Sequence, residues 1–513
     1  MRFILFLWLL AFQIGYSQNQ DFSYFNKVYG ADTMNILSMV CKPLPNGDYF
    51  VLGGYTSINQ SHILYLRKID SLGKSIWLKS IDSGENAAVI ENGQEALISK
   101  DNHLVLTFYK QNSLNTDDFS IHLLKLDTEG NIVWKQVYHN GIINTVNHLI
   151  ETHDNGFVII GTEGTSSSED GFCYVLRTDN LGNTIWKQTY QLDGHTLGLS
   201  IEQTHDNGFI FSGTGETTGM DYDMFVIKTD SLGNEEWRNT YGGEEQEGYS
   251  YVKLLTSKSE YEQAGKMEYL LIGEDKPIQS DDDLYIAKLD DRGTVIWEKR
   301  YDDFDDIKHP YPYFQTMPVL ESDKGFKIMA NYRGVNEQGV IVRIPVLMDF
   351  DSNGNVNWQK VMSMDIESKV HVRDLQATPD GGYIMAGFKS SPAPQQSWIV
   401  KVDADGNTCW VADCDSTVLI TNIEEPSISP SSFSLSLFPN PASEQVEVVY
   451  QLPNNQSGIL KVYDYQGRLI DNRVLDNGYS SLILDLEGFT AGVYLYSLEV
   501  EGERLESGKL VVE

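Results

Sequence analysis

The chain has 513 residues, 41% hydrophobic and 22% charged, the make-up of a folded protein rather than a disordered one. With 38 Lys and Arg against 73 Asp and Glu, its net charge is −35, which repels phosphate backbones and anionic membranes and sets nucleic acid aside as a partner. The excess of carboxylates serves solubility, and calcium is the cation it would collect.

The N-terminus reads as an export signal. Arg2 is the short basic region, and residues 3–12 are an apolar core too short to span a bilayer. Gly15 and Ser17 are small residues at the spacing a signal peptidase uses, so residues 1–17 are expected to be removed. No later stretch is long and apolar enough to cross a membrane, and the mature chain is expected outside the cytoplasm.

Seven times the chain repeats an Asp, a Gly three residues on and a Trp four further: Asp70/Gly73/Trp77, Asp127/Gly130/Trp134, Asp179/Gly182/Trp186, Asp230/Gly233/Trp237, Asp290/Gly293/Trp297, Asp351/Gly354/Trp358 and Asp403/Gly406/Trp410. The steps between Trp residues run from 51 to 61. Periods of this length, rich in strand and turn residues, signal a propeller. In the clearest unit, Gly198 to Gly242, strands alternate at 199–204, 209–213, 224–229 and 235–241, with turns at Asp206-Asn207-Gly208 and Asp230 to Asn234. Four antiparallel strands make one blade. The recurrent Trp is a packing residue that docks each blade on the next. The fifth unit lacks the first turn and carries an insertion, Ser257 to Lys266.

Phe25-Asn26-Lys27-Val28-Tyr29 repeats the pattern of Trp134-Lys135-Gln136-Val137-Tyr138, whereas the last unit lacks Lys and Tyr after Trp410. Residues 22–29 are therefore expected to complete, or add to, the last blade, closing the ring at seven and hiding sheet edges.

The short Asp-containing turns follow strands one and three and share one face. The variable connections follow strands two and four on the opposite face, which is the expected binding side. The most unusual connection is 301–314, with Asp303, Asp306, His309, Tyr311, Tyr313 and Phe314 as ligand-binding candidates: aromatics beside carboxylates suit sugars or peptides. Asp349-x-Asp351-x-Asn353-Gly354 opens like a calcium loop, but Lys360 stands where the bidentate Glu belongs, and the stretch coincides with the repeated turn, so no metal site is assigned. His153 and His205 are expected in turns. No nucleophile elbow, zinc-protease helix or phosphate loop is present, so no catalytic residue is assigned. Cys409 and Cys414 form the disulfide candidate, and Cys41 and Cys173 are expected to pack as small apolar groups. The repeat resembles the tryptophan-docking motif of quinoprotein dehydrogenases, but its Asp-to-Trp spacing is one residue shorter. The likeness supports Trp docking and implies no quinone cofactor.

Residues 416–434 carry Pro426, Pro430 and several Ser and read as a linker. Strands then alternate at 445–451, 458–464, 481–485 and 493–500, and the chain ends on Gly508-Lys509-Leu510-Val511-Val512, the spacing of a β-sandwich. The Pro439-Asn440-Pro441-Ala442 opening, Val462-Tyr463-Asp464 with Gly467, Gly492-Val493-Tyr494, Gly502 and the closing Lys509 to Val512 resemble the type A C-terminal sorting domain of the type IX secretion system of Bacteroidetes. That resemblance implies the secretion machinery as partner, passage through the outer membrane and delivery to the cell surface or the medium.

The expected architecture is all-β: a seven-bladed β-propeller over 18–415, a linker over 416–434 and a small β-sandwich over 435–513. The expected function is non-enzymatic binding or adhesion toward a glycan or a surface protein, without a required cofactor. The alternatives are a polysaccharide-active hydrolase or lyase on the same scaffold, and a scaffold with no site of its own.

Overall fold

The computed structural model describes residues 25–29, 35–56, 62–84, 88–89, 93–111, 119–139, 143–164, 171–217, 222–242, 248–275, 283–301, 308–312, 319–322, 325–335, 341–362, 369–390, 394–408, 434–438, 442, 445–452, 457–464, 468–475, 479–486, 488–500 and 503–512. They fall into two compact units, the first ending at Val418 and the second built on Leu419–Glu513.

The first unit is nearly all strand. Its described residues form seven antiparallel sheets in chain order, each with four strand positions. Sheet one, for example, holds Asn35–Pro43, Tyr49–Thr56, His62–Ile69 and Ser75–Gly84, and sheet four holds Thr196–Gln203, Phe209–Glu216, Tyr222–Thr229 and Glu235–Tyr241. In sheets two, three and six the innermost strand is broken in two. Sheet seven takes three strands from Val370–Ala377, Tyr383–Lys389 and Gln396–Val402. Its fourth is Phe25–Tyr29, with Phe25 opposite Lys401 and Tyr29 opposite Ser397. The first described residues thus close the last sheet, as the likeness between Phe25–Tyr29 and the outer strands requires.

The cores lie between sheets rather than within them. Because side chains alternate across a strand, each sheet gives one set of apolar residues to each neighbour. Phe209, Phe211 and Phe225 of sheet four pack with Val158 and Ile160 of sheet three, while Ile210, Met224 and Val226 pack with Leu271 and Ala287 of sheet five. The same holds for sheets one and two, two and three, five and six, and six and seven. Sheet seven meets sheet one through Lys42 and Asp374, 3.0 Å apart and both buried, and through Cys41 N, which donates to the same carboxylate at 2.8 Å.

The repeated phrase builds one joint. In all seven units the Asp side chain accepts hydrogen bonds from the backbone N–H groups two and four residues on, as Asp179 does from Leu181 and Asn183 at 2.9 and 2.8 Å. The Gly that follows holds φ between 74° and 82°, a conformation that suits glycine. The Trp of the preceding unit covers that glycine. A Cβ added at Gly182 would lie 3.0 Å from the Trp134 ring, and one at Gly354 would lie 2.7 Å from Trp297. Phe25 covers Gly73 in the same way, so the substitute strand also brings a substitute for Trp. The Tyr four residues after the ring donates to the glycine carbonyl: Tyr138 to Gly182 at 2.5 Å, Tyr190 to Gly233 at 2.7 Å, Tyr241 to Gly293 at 2.6 Å, and likewise Tyr29 to Gly73 and Tyr301 to Gly354.

A second repeated device was not read from the sequence. The residue two before each turn Asp reaches back to the turn after the first strand. Lys125 pairs with Asp101 at 2.6 Å, Arg177 with Asp154 at 2.7 Å, Lys228 with Asp206 at 2.9 Å, and Lys401 with Asp380. Sheet six reverses the polarity, with Asp349 at the basic position and Lys327 directly across the register.

The insertion of the fifth unit, Ser257 to Lys266, contains a short helix, Lys258–Ala264. Ser257 caps it, the Ser257 N–H donates to Glu260 Oε2 at 2.8 Å, and Gly265 ends it at φ 64°. This is a capping box, a Ser followed three residues later by Glu.

The second unit has two sheets. One holds Ser434–Phe438, Gln445–Gln451 and Tyr479–Asp485; the other orders Leu469–Leu475, Gly458–Tyr463, Gly492–Val500 and Glu503–Val512. One apolar cluster, with Val446, Val448 and Leu484 from the first sheet and Leu460, Leu498 and Leu510 from the second, fills the space between them. The strand at Leu469–Leu475 carries no clear alternation in sequence, since Leu469, Ile470 and Val474 are all exposed.

Candidate functional site

The innermost strands bring residues of six sheets to one cavity of about 770 Å³. Its wall includes Lys42, Gln94, His148, Glu151, Ser200, Glu202, Tyr251, Lys253 and Asp374. In sheets one, four and seven these positions fall in the second half of the inner strand, and in sheets one and seven the lining runs into the turn that follows, as Leu44 and Pro45 and as Thr378 and Pro379 do. The cavity therefore belongs to the face of the short turns, opposite the variable connections favoured by sequence.

The wall charges are committed to one another. Asp374 takes the Lys42 ammonium, the Cys41 N–H and the Gln376 amide, and burial drives its carboxyl upward against those contacts. Glu202 pairs with Lys253 at 2.5 Å, and Glu151 accepts from Lys100 N at 2.8 Å. His148 accepts from Ile201 N at 3.1 Å, and burial, with Lys253 and Lys42 adding to it, lowers its pKa to about 3. The ring is a neutral acceptor that ties sheet three to sheet four. Such a wall offers hydrogen bonds with little net charge. Charged residues on an inner strand were the signal available in sequence, yet nothing in the spacing of Lys42, His148 and Asp374 tells that they share a cavity.

Of the ligand-binding candidates, Asp303, Asp306, Tyr313 and Phe314 lie outside the described residues. His309 and Tyr311 lie not in a loop but in a strand, Lys308–Pro312, with Tyr311 opposite Arg333 in the register. The calcium-like stretch is spoken for: Asp351 caps its turn, and Asp349 holds Lys327 and the Asn357 amide. Among the described residues, no group of three or more metal-ligating side chains occurs. His153 and His205 do more than fill turns. His153 N donates to Gln203 of sheet four, and His205 Nε2 meets the Thr256 carbonyl of sheet five at 2.6 Å.

Trp77, Trp134, Trp186, Trp237, Trp297 and Trp358 are half-buried against the next sheet, and Trp410 lies outside the described residues. Cys41 and Cys173 are buried free thiols, while Cys409 and Cys414 lie outside the described residues.

In the second unit, Pro439, Asn440 and Pro441 lie outside the described residues. The adjoining Ala442 donates its N–H to Val511 O at 2.9 Å and bridges to Val512, which ties the opening motif to the closing one. Gly492 starts a central strand. The buried Tyr494 turns its hydroxyl back on Thr490, accepting from its N–H at 3.0 Å and donating to its carbonyl at 2.9 Å. Lys509 is exposed on the last strand, opposite Leu495. Residues 436–513 match the family model of the secretion system C-terminal sorting domain.

The chain is exported by the type IX secretion system. Its destination is the cell surface or the medium, and the sorting domain engages the secretion machinery. No helix of the described residues is long and apolar enough to cross a membrane. No curated protein matches the chain. Among solved structures it is similar to the Hadza microbial sialidase Hz136, at 10% identity over 58% of this chain and 63% of that one, with a TM-score of 0.38. It is also similar to a puromycin hydrolase, at 10% identity over 72% of this chain and 52% of that one, with a TM-score of 0.36. A third is the α-L-arabinofuranosidase Arb93A from Fusarium graminearum, at 11% identity over 64% and 98%, with a TM-score of 0.37. The chain thus spans less than two thirds of the first two, and these superpositions are too loose to carry an argument about activity.

Proposed function

We infer that the cyclic array of sheets is a seven-bladed β-propeller displayed outside a Bacteroidetes cell, where it binds a saccharide without transforming it. The observation that carries this reading is the pairing of charges in the central wall. Lys42 with Asp374 and Glu202 with Lys253 are held in ion pairs, leaving a polar lining rather than an acid and a base poised for proton transfer. The variable connections, including 301–314, form the recognition side on this reading, and Cys409 with Cys414 form a disulfide.

The test is a glycan array probed with the mature chain and with a variant lacking residues 302–314. Binding by the first and a loss of at least tenfold in the second is the expected result. Unchanged binding removes that segment, and no binding to any glycan removes the reading.

A second reading, a polysaccharide hydrolase, is favoured by one observation: the carboxylates Glu151, Glu202 and Asp374 share the cavity wall. Glycosidases use two such groups across the scissile bond. Release of reducing ends from an oligosaccharide panel, abolished in both Glu151→Gln and Glu202→Gln, would establish it over the binding reading.

A further inference from the structure

We propose that the strand Leu469–Leu475 of the sorting domain pairs antiparallel with the same strand of a second copy of this chain, about a two-fold axis through Asn472. The inference goes beyond the saccharide-binding reading and does not depend on it.

This strand is one edge of its sheet. The opposite edge, Glu503–Val512, is bridged by Ala442, whose N–H donates to Val511 O at 2.9 Å. Among the described residues, Leu469–Leu475 pairs with Gly458–Tyr463 and with no strand on its other side. Such an edge holds a row of backbone N–H and C=O groups to which another strand can bond. In the single chain one of them is served locally: Asn472 N donates to Asp471 Oδ1 at 2.7 Å. The side chain takes the place of a missing neighbour.

The sequence of the strand says what that neighbour is. Leu-Ile-Asp-Asn-Arg-Val-Leu reads almost alike in both directions about Asn472, except that Asp answers to Arg. Two copies paired antiparallel on Asn472 set Ile470 opposite Val474 and Asp471 opposite Arg473, and the symmetry makes each contact twice. Residues directly opposite in an antiparallel pair bring their side chains together, and both aliphatic and opposite-charge pairs are favourable there. Ile470 and Val474 are both exposed, Val474 by 71%. Arg473 Nη2 lies 2.9 Å from Asp471 Oδ2 within one chain. In the pair each carboxylate faces a guanidinium of the other copy, and the Asn472 N–H passes from the Asp471 side chain to the backbone of that copy. Leu475 is buried in the core, and the register shifts between Leu469 and Asp471, so the contact is confined to Ile470–Val474.

Charge complementarity selects a second copy over an unrelated strand. Charged side chains on an edge ordinarily discourage pairing. A strand of other composition would leave Asp471 and Arg473 opposite apolar or like-charged groups, whereas the copy offers each its opposite. The strand is also neutral, with one Asp and one Arg, in a chain whose net charge is −35. The two edges therefore meet without the repulsion that an acidic strand would bring.

The experiment is sedimentation velocity of the mature chain, sorting domain retained, over a range of concentrations. Arg473→Asp and Asp471→Arg are measured singly and mixed in equal amounts, and Val474→Lys beside them, with thermal melts as the folding control. The expected result is a reversible dimer of the unchanged chain. It should weaken at least tenfold in each charge variant alone, where like charges face one another, and return in the mixture, where a strand with two Asp meets one with two Arg. Val474→Lys alters an exposed position and should weaken the dimer at least tenfold without moving the melt, which carries the test if a charge variant melts early. A chain that stays monomeric at every concentration overturns the proposal. A dimer that survives in both charge variants and in Val474→Lys places the contact elsewhere and overturns it too. So does a mixture of folded charge variants that remains monomeric.

Discussion

The turn glycine is the position in each repeat that tolerates least. Gly182 combines φ 79° with a Trp134 ring that a methyl group would meet at 3.0 Å. Gly182→Ala adds backbone strain to steric overlap, and we expect a loss of about 2–3 kcal/mol, read as a lower urea midpoint. Tyr138→Phe removes only the hydroxyl that donates to the Gly182 carbonyl, and its expected cost is about 1 kcal/mol by the same measurement. Equal effects in the two variants would show that the ring-on-glycine contact is not the principal one. This joint was legible in sequence because it needs particular residue types at fixed distances. Its tyrosine was visible too, but what that tyrosine bonds to was not, since the partner lies more than forty residues away.

At the scale of the strand and its turns, the ion pair between the third strand and the turn after the first is the device that sequence concealed. The basic residue two before the turn Asp, as at Lys125, Arg177, Lys228 and Lys401, looks like an ordinary strand residue. Its partner is named only when the register sets the strands side by side. Sheet six tests whether the pair or its polarity matters. Lys327→Asp and Asp349→Lys each leave two like charges facing one another in a mostly buried place, and roughly 3 kcal/mol is the expected cost of each. The double variant gives sheet six the polarity of the other sheets and should recover more than half of the loss in a double-mutant cycle. Additive losses would mean that the two side chains act separately. The same scale explains the helix at Lys258–Ala264: its cap signature was present at Ser257 and Glu260, but a seven-residue helix leaves too little periodicity to stand out.

At the scale of the whole molecule, acid should loosen the array before it loosens single turns. His122, His148 and His371 have pKa values lowered to about 4, 3 and 3, in each case chiefly by burial. Their unfolded value is near 6.5, so between pH 6.5 and about 4 the unfolded chain binds protons that the folded chain does not. Stability therefore rises with pH across that window and is lost on acidification, by up to about 1.4 kcal/mol per pH unit for each histidine. Melting temperatures measured from pH 7 to pH 4 should fall, and His122→Gln should flatten the slope by roughly a third; an unchanged slope would mean that this ring is protonated in the folded state. Export belongs to this scale as well. Removing residues 435–513 should leave the chain in the periplasm, measured by fractionation and surface labelling, and surface delivery of the shortened chain would contradict the role of the sorting domain. Sheet order and the sorting domain were readable from sequence because both rest on repeated or ordered motifs. The cavity was not, because it is assembled from single residues on different sheets.

The way sheet seven is completed has a mechanical consequence. Phe25–Tyr29 runs antiparallel to Gln396–Val402, and Phe25 lies opposite Lys401. The chain enters this strand pair and leaves it at the same end. Traction between the two would part the hydrogen bonds one after another, as a zipper opens, instead of loading them all in shear. A chain tugged at both ends would thus give way first at this seam, with the six other sheets still whole.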